Sequence, residues 1–310
     1  MSNRIVKIGT RASKLALWQA YYVADLLKQA GMESEIVTID TKGDQVLDVS
    51  ISKIGSKGVF TQELEDQLLN GRIDIAVHSA KDMPSRLGEG LELIAFSVRE
   101  QAQDVLLSTK KGVSLSDAHL VVGTSSTRRI ATLKHFYPHV NTVEVRGNLQ
   151  TRIRKMEEGL CDALLLAYAG VFRMGYADSV VEHLDLNQFI PAVGQGSIAI
   201  EACTSLDPKL RAAIISACND GPTATCLLAE RAYLRVLEGG CSIPVFALAT
   251  LFENSVHLKG GIVSLDGQQR IVLEVKGSPK DAEQLGEALA NQVLQAGGKT
   301  ILEQIKQSPH

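Results

Sequence analysis

Long apolar segments are missing from this 310-residue chain. No run of hydrophobic residues reaches the roughly 20 positions that a membrane-spanning helix needs. The amino terminus, MSNRIVKIGTRASKLALWQ, also lacks the apolar core and the cleavage site of a signal peptide. These absences argue against a membrane protein and an exported protein, and they predict a cytoplasmic location.

Cysteine is scarce: the chain has five, and none forms a Cys-x-x-Cys pair. The odd count and the spacing argue against a disulfide framework and a structural zinc site, so no metal is expected. The cysteines in aliphatic surroundings are predicted to be small buried hydrophobes; they are Cys161, Cys203, Cys218 and Cys226. Cys241 differs, because in LEGGCSIPVF it follows two glycines on a turn without a second thiol.

The chain also lacks a strong overall charge and has few aromatic residues, with a net charge of −3 and 5% Phe, Trp and Tyr. It contains no GxxxxGK[ST] motif and no GxGxxG after its first strand, which argues against nucleotide binding. The charge is uneven, since residues 124–155 carry seven Lys and Arg against Glu144 alone. This stretch predicts an anionic ligand. RNA is disfavoured, because only Phe136 and Tyr137 are available there for stacking on bases.

The order of apolar patterns predicts an α/β fold. RIVKIG is typical of a buried strand, and SEIVTID is typical of the next strand. Between them, residues 10–31 have the pattern of an amphipathic helix that ends at Gly31. Such alternation implies a parallel sheet with helices on both faces. KIGTRASKLA resembles VVGTSSTRRIA, and NGRIDIAVHSA resembles EGLCDALLLAYA. We therefore expect two α/β lobes of similar build with a ligand cleft between them.

Three domains are predicted along the chain. The first lobe comprises residues 1–98 and 197–217, the second lobe residues 99–196, and a smaller C-terminal domain residues 218–310. In this last domain a predicted helix precedes VFALATLF, VHLKGGIVSL and QRIVLEVKG, which alternate like an antiparallel meander. The segment PKDAEQLGEALANQVLQAGG predicts an amphipathic closing helix.

Two predicted strand-to-helix turns combine hydroxyl and arginine side chains, which are Arg11, Ser13, Thr124, Ser126, Arg128 and Arg129. Free N–H groups at the start of a helix attract anions, and arginine can hold a carboxylate through two hydrogen bonds. Helix capping is the alternative for the hydroxyls, but it does not account for an arginine in both turns. Separate arginines suit a ligand with several carboxylates better than one compact phosphate.

AVHSAKDMPS places His78, Lys81 and Asp82 just past a predicted strand, where ligands bind in open α/β sheets. The residues alone favour structural roles, with His78 as a hydrogen-bonded residue of the fold and Asp82 as a turn carboxylate. The glycine-punctuated segment 42–58 carries further lysines. It is predicted to be either a mobile flap over an anionic ligand or a solvated surface loop.

Together these stretches resemble the porphobilinogen deaminase family, also called hydroxymethylbilane synthase. The motifs of the resemblance run in order from residue 8 to residue 245, and they are IGTRASKLALWQA, GSKGVFTQELE, DIAVHSAKDMP, GTSSTRR, EVRGNLQTRI, PAVGQG and ERAYLRVLEGGCSIPV. Phe246 departs from the family, which usually has a small residue there. This departure raises a question about packing beside the Cys241 turn. Past residue 250 the family signal is weak.

The resemblance implies an α/β fold with two lobes of periplasmic-binding-protein-like (type II) build, plus a C-terminal α+β domain with an antiparallel sheet. It implies a transferase that joins four porphobilinogen molecules head to tail into the linear tetrapyrrole hydroxymethylbilane and releases four ammonia. A dipyrromethane cofactor would be held as a thioether on Cys241. The enzyme would be a cytoplasmic monomer that binds neither nucleic acid nor membrane and passes its product to uroporphyrinogen-III synthase.

Carried over residue by residue, the resemblance makes Asp82 the catalytic carboxylate, which reverses the expectation from the residues alone. The residues implied to hold the acetate and propionate groups are Arg11, Ser13, Lys81, Thr124, Ser126, Arg128, Arg129, Arg146, Arg152 and Arg173. Further candidates are Lys53, Lys57, Phe60 and Gln195. The alternative is a non-catalytic two-lobed binding protein or sensor for an organic polycarboxylate, which leaves Cys241 without a role.

Overall fold

The structure is a computed structural model, and it describes residues 4–41, 61–238 and 243–307. The chain divides into two compact units. The first contains Met1–Glu100 and Gly196–Ala224, and the second contains Gln101–Gln195 and Thr225–His310. The three-domain division expected from the sequence stays a prediction.

A five-stranded sheet forms the centre of the first unit. Its strands are β1 (Val6–Arg11), β2 (Ser34–Ile39), β3 (Ile75–Ser79), β4 (Leu91–Phe96) and β10 (Ile198–Cys203). They are arranged in the order β2-β1-β3-β10-β4, with β1 parallel to β2 and β3 and with β10 antiparallel to β3 and β4. The expected parallel arrangement is therefore correct except for β10. This strand arrives from a distant part of the chain, so no crossover helix fixes its direction.

Helices cover both faces of this sheet, as predicted; they are α1 (Lys14–Gln29), α2 (Gln62–Leu69) and α6 (Pro208–Cys218). The buried side of α1 packs on the face that carries Ile75 and Val77. Leu64 and Leu68 of α2 pack on the opposite face, with Ala76, because successive strand residues point to opposite sides.

The second unit contains a sheet of the same design. Its strands are β5 (Asp104–Leu107), β6 (Val121–Gly123), β7 (Asn141–Val143), β8 (Ala163–Ala167) and β9 (Val180–His183), in the order β7-β6-β8-β5-β9. β6 is parallel to β7 and β8, and β5 is antiparallel to β8 and β9. Three helices accompany the strands; they are α3 (Thr127–Phe136), α4 (Leu149–Glu157) and α5 (Tyr168–Arg173). The matching orders and directions confirm the prediction of two lobes of similar build.

A three-stranded antiparallel sheet follows α7 (Gly221–Val236), as the alternating segments predicted. Its strands are β11 (Val245–Phe252), β12 (Ser255–Val263) and β13 (Arg270–Gly277). The chain closes with two helices, α8 (Ala282–Val293) and α9 (Lys299–Gln307). The sequence predicted a single closing helix, and the structure has two. Gly297, with φ of 111°, breaks the helix before α9 begins.

Phe246 is accommodated inside the second unit. It is buried in a small apolar cluster whose other buried members are Ala131, Ile190 and Val263. The guanidinium group of Arg270 lies 5.4 Å from the centroid of the Phe246 ring and 4.9 Å from that of Phe136. The large side chain therefore fills a contact between β11 and α3, which answers the packing question that the sequence raised.

The cysteine prediction is correct for three residues and wrong for one. Cys161, Cys218 and Cys226 are buried, whereas Cys203, at the end of β10, is only partly buried. The chain turns at the surface there, and the Cys203 thiol lies 3.2 Å from the Ser205 hydroxyl. This hydrogen bond lowers the pKa of the Cys203 thiol.

Candidate active site

In the first unit, candidate residues lie where β1 and β3 end. The two strands are parallel neighbours, so their carboxyl ends share one edge of the sheet. Arg11 is the last residue of β1. Ser13 follows it, and its hydroxyl caps α1 by accepting a 3.3 Å hydrogen bond from the Ala16 N–H. The capping alternative is therefore realised for Ser13.

Lys81 and Asp82 occupy a 3-10 turn, Ala80–Asp82, that follows β3 directly. The turn is anchored at both ends, because the Ala80 N–H donates to the Ser197 carbonyl at 3.0 Å and Met83 is buried. Asp82 itself is exposed. Within the described parts of the chain, no group donates a hydrogen bond to its carboxylate. An anchored turn thus holds an accessible carboxylate at the same sheet edge as Arg11.

His78 belongs to a buried polar group beneath α2, as its predicted structural role requires. Its Nε2 lies 3.0 Å from Oε2 of Glu201 on β10, and both side chains are buried. Glu65 of α2 lies nearby; burial raises its pKa, and a hydrogen bond from the Thr61 hydroxyl opposes that rise. The pair of His78 and Glu201 links β3 to β10 shortly before the chain enters the Asp82 turn.

In the second unit, Thr124 and Ser126 follow β6, the strand that occupies the same place in its sheet as β1 does in the first. The Thr124 Oγ1 accepts a 3.3 Å hydrogen bond from the Ser126 N–H. Ser126 precedes α3 without capping it through its side chain. The capping alternative is therefore not realised for the Ser126 side chain, and the ligand role expected of Thr124 and Ser126 stays a prediction.

The two matching turns share a glycine for the same physical reason. A Cβ on Gly9 would lie 2.3 Å from Ile73 Cδ1, and one on Gly123 would lie 2.6 Å from Val145 Cγ2. Contacts this short would force the neighbouring side chains to shift, so glycine allows the closest packing at both positions, inside β1 at Gly9 and at the end of β6 at Gly123. The Gly-Thr pairs of the internal repeat therefore reflect close packing of the strand residues near each candidate turn.

Arg128 and Arg129, in the first turn of α3, are buried and paired with one carboxylate. The Asp104 Oδ1 accepts from Arg129 Nε at 3.1 Å and from Arg129 Nη2 at 2.7 Å. The Asp104 Oδ2 lies 2.8 Å from Arg128 Nη1. Burial opposes ionisation of Asp104, but the two guanidinium groups outweigh it and hold the pKa of this carboxyl well below its usual range. Asp104 was not a candidate from the sequence; its only signal is an acid at the start of the apolar run DVLL.

The other predicted arginines lie in α4, in α5 and in the loop before α4. Nε of Arg146 donates to Glu144 Oε1 at 2.7 Å. Nε of Arg152 donates to the Gly147 carbonyl at 2.8 Å. Arg173 is the last residue of α5, which follows β8. Because β6, β7 and β8 are parallel neighbours, the segments that follow them lie at one edge of the sheet.

Gln195 is buried and holds a fixed orientation. Its Nε2 donates to the Ala102 carbonyl at 2.7 Å and to Asp104 Oδ1 at 2.9 Å. Four of the sequence candidates lie outside the described residues: Lys53, Lys57, Phe60 and Cys241. The predicted flap at 42–58 lies outside them too.

Comparison with known proteins adds the deciding observation. Residues 6–211 match the family model described as porphobilinogen deaminase, dipyromethane cofactor binding domain, and residues 224–295 match the model described as porphobilinogen deaminase, C-terminal domain. The chain belongs to the porphobilinogen deaminase family. The enzyme of that name from Cytophaga hutchinsonii is 56% identical over 98% of this chain and 98% of its own length. The one from Desulfosudis oleivorans is 54% identical over 97% and 98%.

Among solved structures, the methionine binding protein MetQ covers 70% of this chain and 90% of its own at 12% identity, with a TM-score of 0.45. That similarity is too low to inform function. Family membership supports an enzyme of the transferase class over the alternative of a non-catalytic binding protein. Of the helices in the described ranges, none combines the length and apolarity that crossing a bilayer demands.

Proposed function

We propose that the chain joins four porphobilinogen molecules into hydroxymethylbilane with Asp82 as its catalytic carboxylate. The observation that carries this proposal is the Ala80–Asp82 turn. It presents an accessible carboxylate at the carboxyl end of β3, at the same sheet edge as Arg11 at the end of β1. The turn stands in a chain whose relatives are named porphobilinogen deaminase.

The residues present fit the dipyrromethane cofactor that the family implies. Each pyrrole ring of that cofactor bears acetate and propionate carboxylates, which need cationic and hydroxyl donors. Such donors stand at the strand ends of the first unit (Arg11, Lys81) and of the second unit (Ser126, Arg128). When bound, the cofactor supplies the free pyrrole carbon to which the first substrate is joined.

The Asp82 carboxylate can act on the substrate in two ways. Loss of ammonia from porphobilinogen leaves positive charge on the pyrrole, and a carboxylate that accepts the pyrrole N–H hydrogen bond stabilises it. The new carbon–carbon bond then displaces a proton, which a carboxylate oxygen receives. Asp82 is exposed and has no partner among the described residues, so both functions are open to it.

Cys241 is proposed to hold the cofactor through a thioether at Sγ, because a thiol is a strong nucleophile toward an electrophilic methylene carbon. The chain on each side of residues 239–242 is firmly packed. Leu237 is buried at the end of the helical segment, and Val245 and Phe246 are buried at the start of β11. The monomeric state, the cytoplasmic location and the delivery of product to uroporphyrinogen-III synthase stay predictions.

The experiment compares Asp82→Asn with the parent enzyme after both have been supplied with ready-made tetrapyrrole product to build the cofactor. Intact-protein mass is expected to show the adduct in both proteins, and peptide mapping is expected to place it on Cys241. Turnover of porphobilinogen by Asp82→Asn should fall on the order of 10²–10⁴-fold, since an amide cannot take the proton.

Asp66→Asn is the matched control, because Asp66 is an exposed carboxylate on α2 of the same unit. It should keep the parent's turnover. A cofactor-bearing Asp82→Asn enzyme that works within about threefold of the parent would return Asp82 to the role of a turn residue. An active parent with unmodified Cys241 would remove the thioether from the proposal.

A further inference from the structure

Three side chains that are candidates for ligand binding converge on one carboxylate in the second unit. Asp104, the first residue of β5, is fully buried. Its Oδ1 accepts from Arg129 at 2.7 Å and from Gln195 Nε2 at 2.9 Å, and its Oδ2 lies 2.8 Å from Arg128 Nη1. One acid therefore contacts three residues that come from two separate stretches of the chain, α3 and the PAVGQG segment.

Each of these side chains has a second anchor on the backbone. Arg128 Nη1 donates to the Ile190 carbonyl at 3.0 Å, and Arg129 Nη1 donates to the Leu165 carbonyl at 3.0 Å. Both hydrogens of the Gln195 amide nitrogen are used, on Asp104 and on the Ala102 carbonyl. A carboxylate on one side and a carbonyl on the other leave a planar group little freedom to rotate.

Donor capacity remains after these contacts are made. A guanidinium group has five N–H donors. Arg128 Nη1 donates to the Ile190 carbonyl and forms an ion pair with Asp104 Oδ2, while its Nε and Nη2 donate to no acceptor in the described residues. Each of the three Arg129 nitrogens donates one hydrogen bond. The remaining donors point in directions that the Asp104 contacts fix.

The charges lead to the same conclusion. Arg128 and Arg129 are adjacent and nearly completely buried, so two like charges would repel strongly without a counterion. Asp104 reduces the net charge of the three groups from +2 to +1. The positive charge that is left can still attract a carboxylate, while the pair of guanidinium groups stays together.

We propose that Asp104 is a positioning residue for ligand binding: it orients Arg128, Arg129 and Gln195 toward the carboxylates of the pyrrole rings and does not touch the ligand itself. This inference rests on the proposed function, which supplies the ligand. It predicts that removing the Asp104 charge weakens binding much more than chemistry, because Asp82 belongs to the first unit and is unchanged.

The test is Asp104→Asn in the full-length enzyme. KM for porphobilinogen is expected to rise by about tenfold or more, the loss that follows from a misplaced pair of charge-assisted hydrogen bonds, while kcat per loaded enzyme changes much less. The share of protein that carries the cofactor, read from intact mass, should also fall. A purely structural role would lower the active fraction and leave KM where it was.

Asp162→Asn is the matched control in the same unit. Asp162 precedes β8 and accepts hydrogen bonds from the Val121 N–H and from Lys110 Nζ. Its replacement therefore also removes a hydrogen-bonded carboxylate. It should keep the parent's KM and cofactor content. Any effect common to both variants reports general damage to the unit.

Asp104→Asn is informative only if it folds. Asp104→Glu, which keeps the charge but displaces it, is therefore the second variant. A folded Asp104→Asn enzyme with a KM within about twofold of the parent's overturns the proposal. If Asp104→Asn does not fold, a KM within about twofold of the parent's in Asp104→Glu overturns it. If neither variant folds, Asp104 serves the fold and the proposal also fails. A parent that releases no linear tetrapyrrole would instead overturn the proposed function.

Discussion

A methyl group at Gly123 is expected to destabilise the second unit. Gly123 is the last residue of β6 and directly precedes Thr124. Its ideal Cβ would lie 2.6 Å from Val145 Cγ2, 2.7 Å from Cys161 Sγ and 2.8 Å from Leu164 Cδ2. Each of these atoms must retreat by more than half an ångström to reach ordinary contact, which begins near 3.4 Å.

The three neighbours cannot retreat easily, because all of them are buried core residues that approach the same point. Overpacking of a well-packed core typically costs about 1–3 kcal/mol. For Gly123→Ala we therefore expect a lower free energy of unfolding by that amount. The corresponding fall in Tm is about 2–4 °C for each kcal/mol in a chain of roughly this size.

Thermal and urea unfolding of Gly123→Ala measure this cost, with Gly221→Ala as the control. Gly221 begins α7, a Cβ there meets nothing within 4 Å, and its φ is not positive. Alanine at this site should leave stability unchanged or raise it by about 0.5 kcal/mol. If the two variants unfold within about one degree of each other, the close packing inferred behind the Gly-Thr turn is wrong.

Three other measurements follow from the ionisable groups. At neutral pH, alkylation should modify Cys203 before Cys218, as peptide mapping would show. Burial raises the pKa of Cys218 to about 12, whereas the Ser205 hydroxyl lowers the pKa of Cys203. Equal alkylation rates would contradict this prediction. Because the folded pKa of Asp104 is lowered, its stabilisation is present above the usual carboxyl pKa of about 3.9 and is lost as pH falls below it. The stability gap between parent and Asp104→Asn, measured by urea unfolding, should therefore narrow from pH 5 to pH 3. Arg270→Lys should lose about 0.5–2 kcal/mol, since an ammonium group does not stack on two rings as a guanidinium does; an unchanged urea midpoint would show that the stacking contributes little.

Local patterns predicted much of the fold. The Gly-Thr turns, the helix that ends at Gly31 and the alternating segments of the C-terminal sheet are short-range signals, and each is present in the structure. The direction of β10 is different, because it depends on pairing with β3, more than a hundred positions earlier in the sequence. No periodicity within Ile198–Cys203 records that partner.

The positions of the candidate residues in the fold were predictable to a similar depth. The residues at the ends of β1, β3 and β6 could be found because hydroxyl and cationic side chains directly follow apolar strands. Asp104 could not be found in this way. Its partners are 24 or more positions away, and an acid at the start of DVLL has the same local appearance whether it faces solvent or two arginines.

The described carboxylates near the two sheet edges differ in what they are able to do, and the difference supports Asp82 as the catalytic group. Asp104 is held by two guanidinium groups that keep it ionised, so it is a poor acceptor for a proton. Glu201 is buried against His78 and has no access to solvent. Asp82 is exposed on an anchored turn and has no partner in the described residues. A group that must stabilise charge on a substrate and then take a proton has to be both accessible and uncommitted, and of these three carboxylates Asp82 alone meets both conditions.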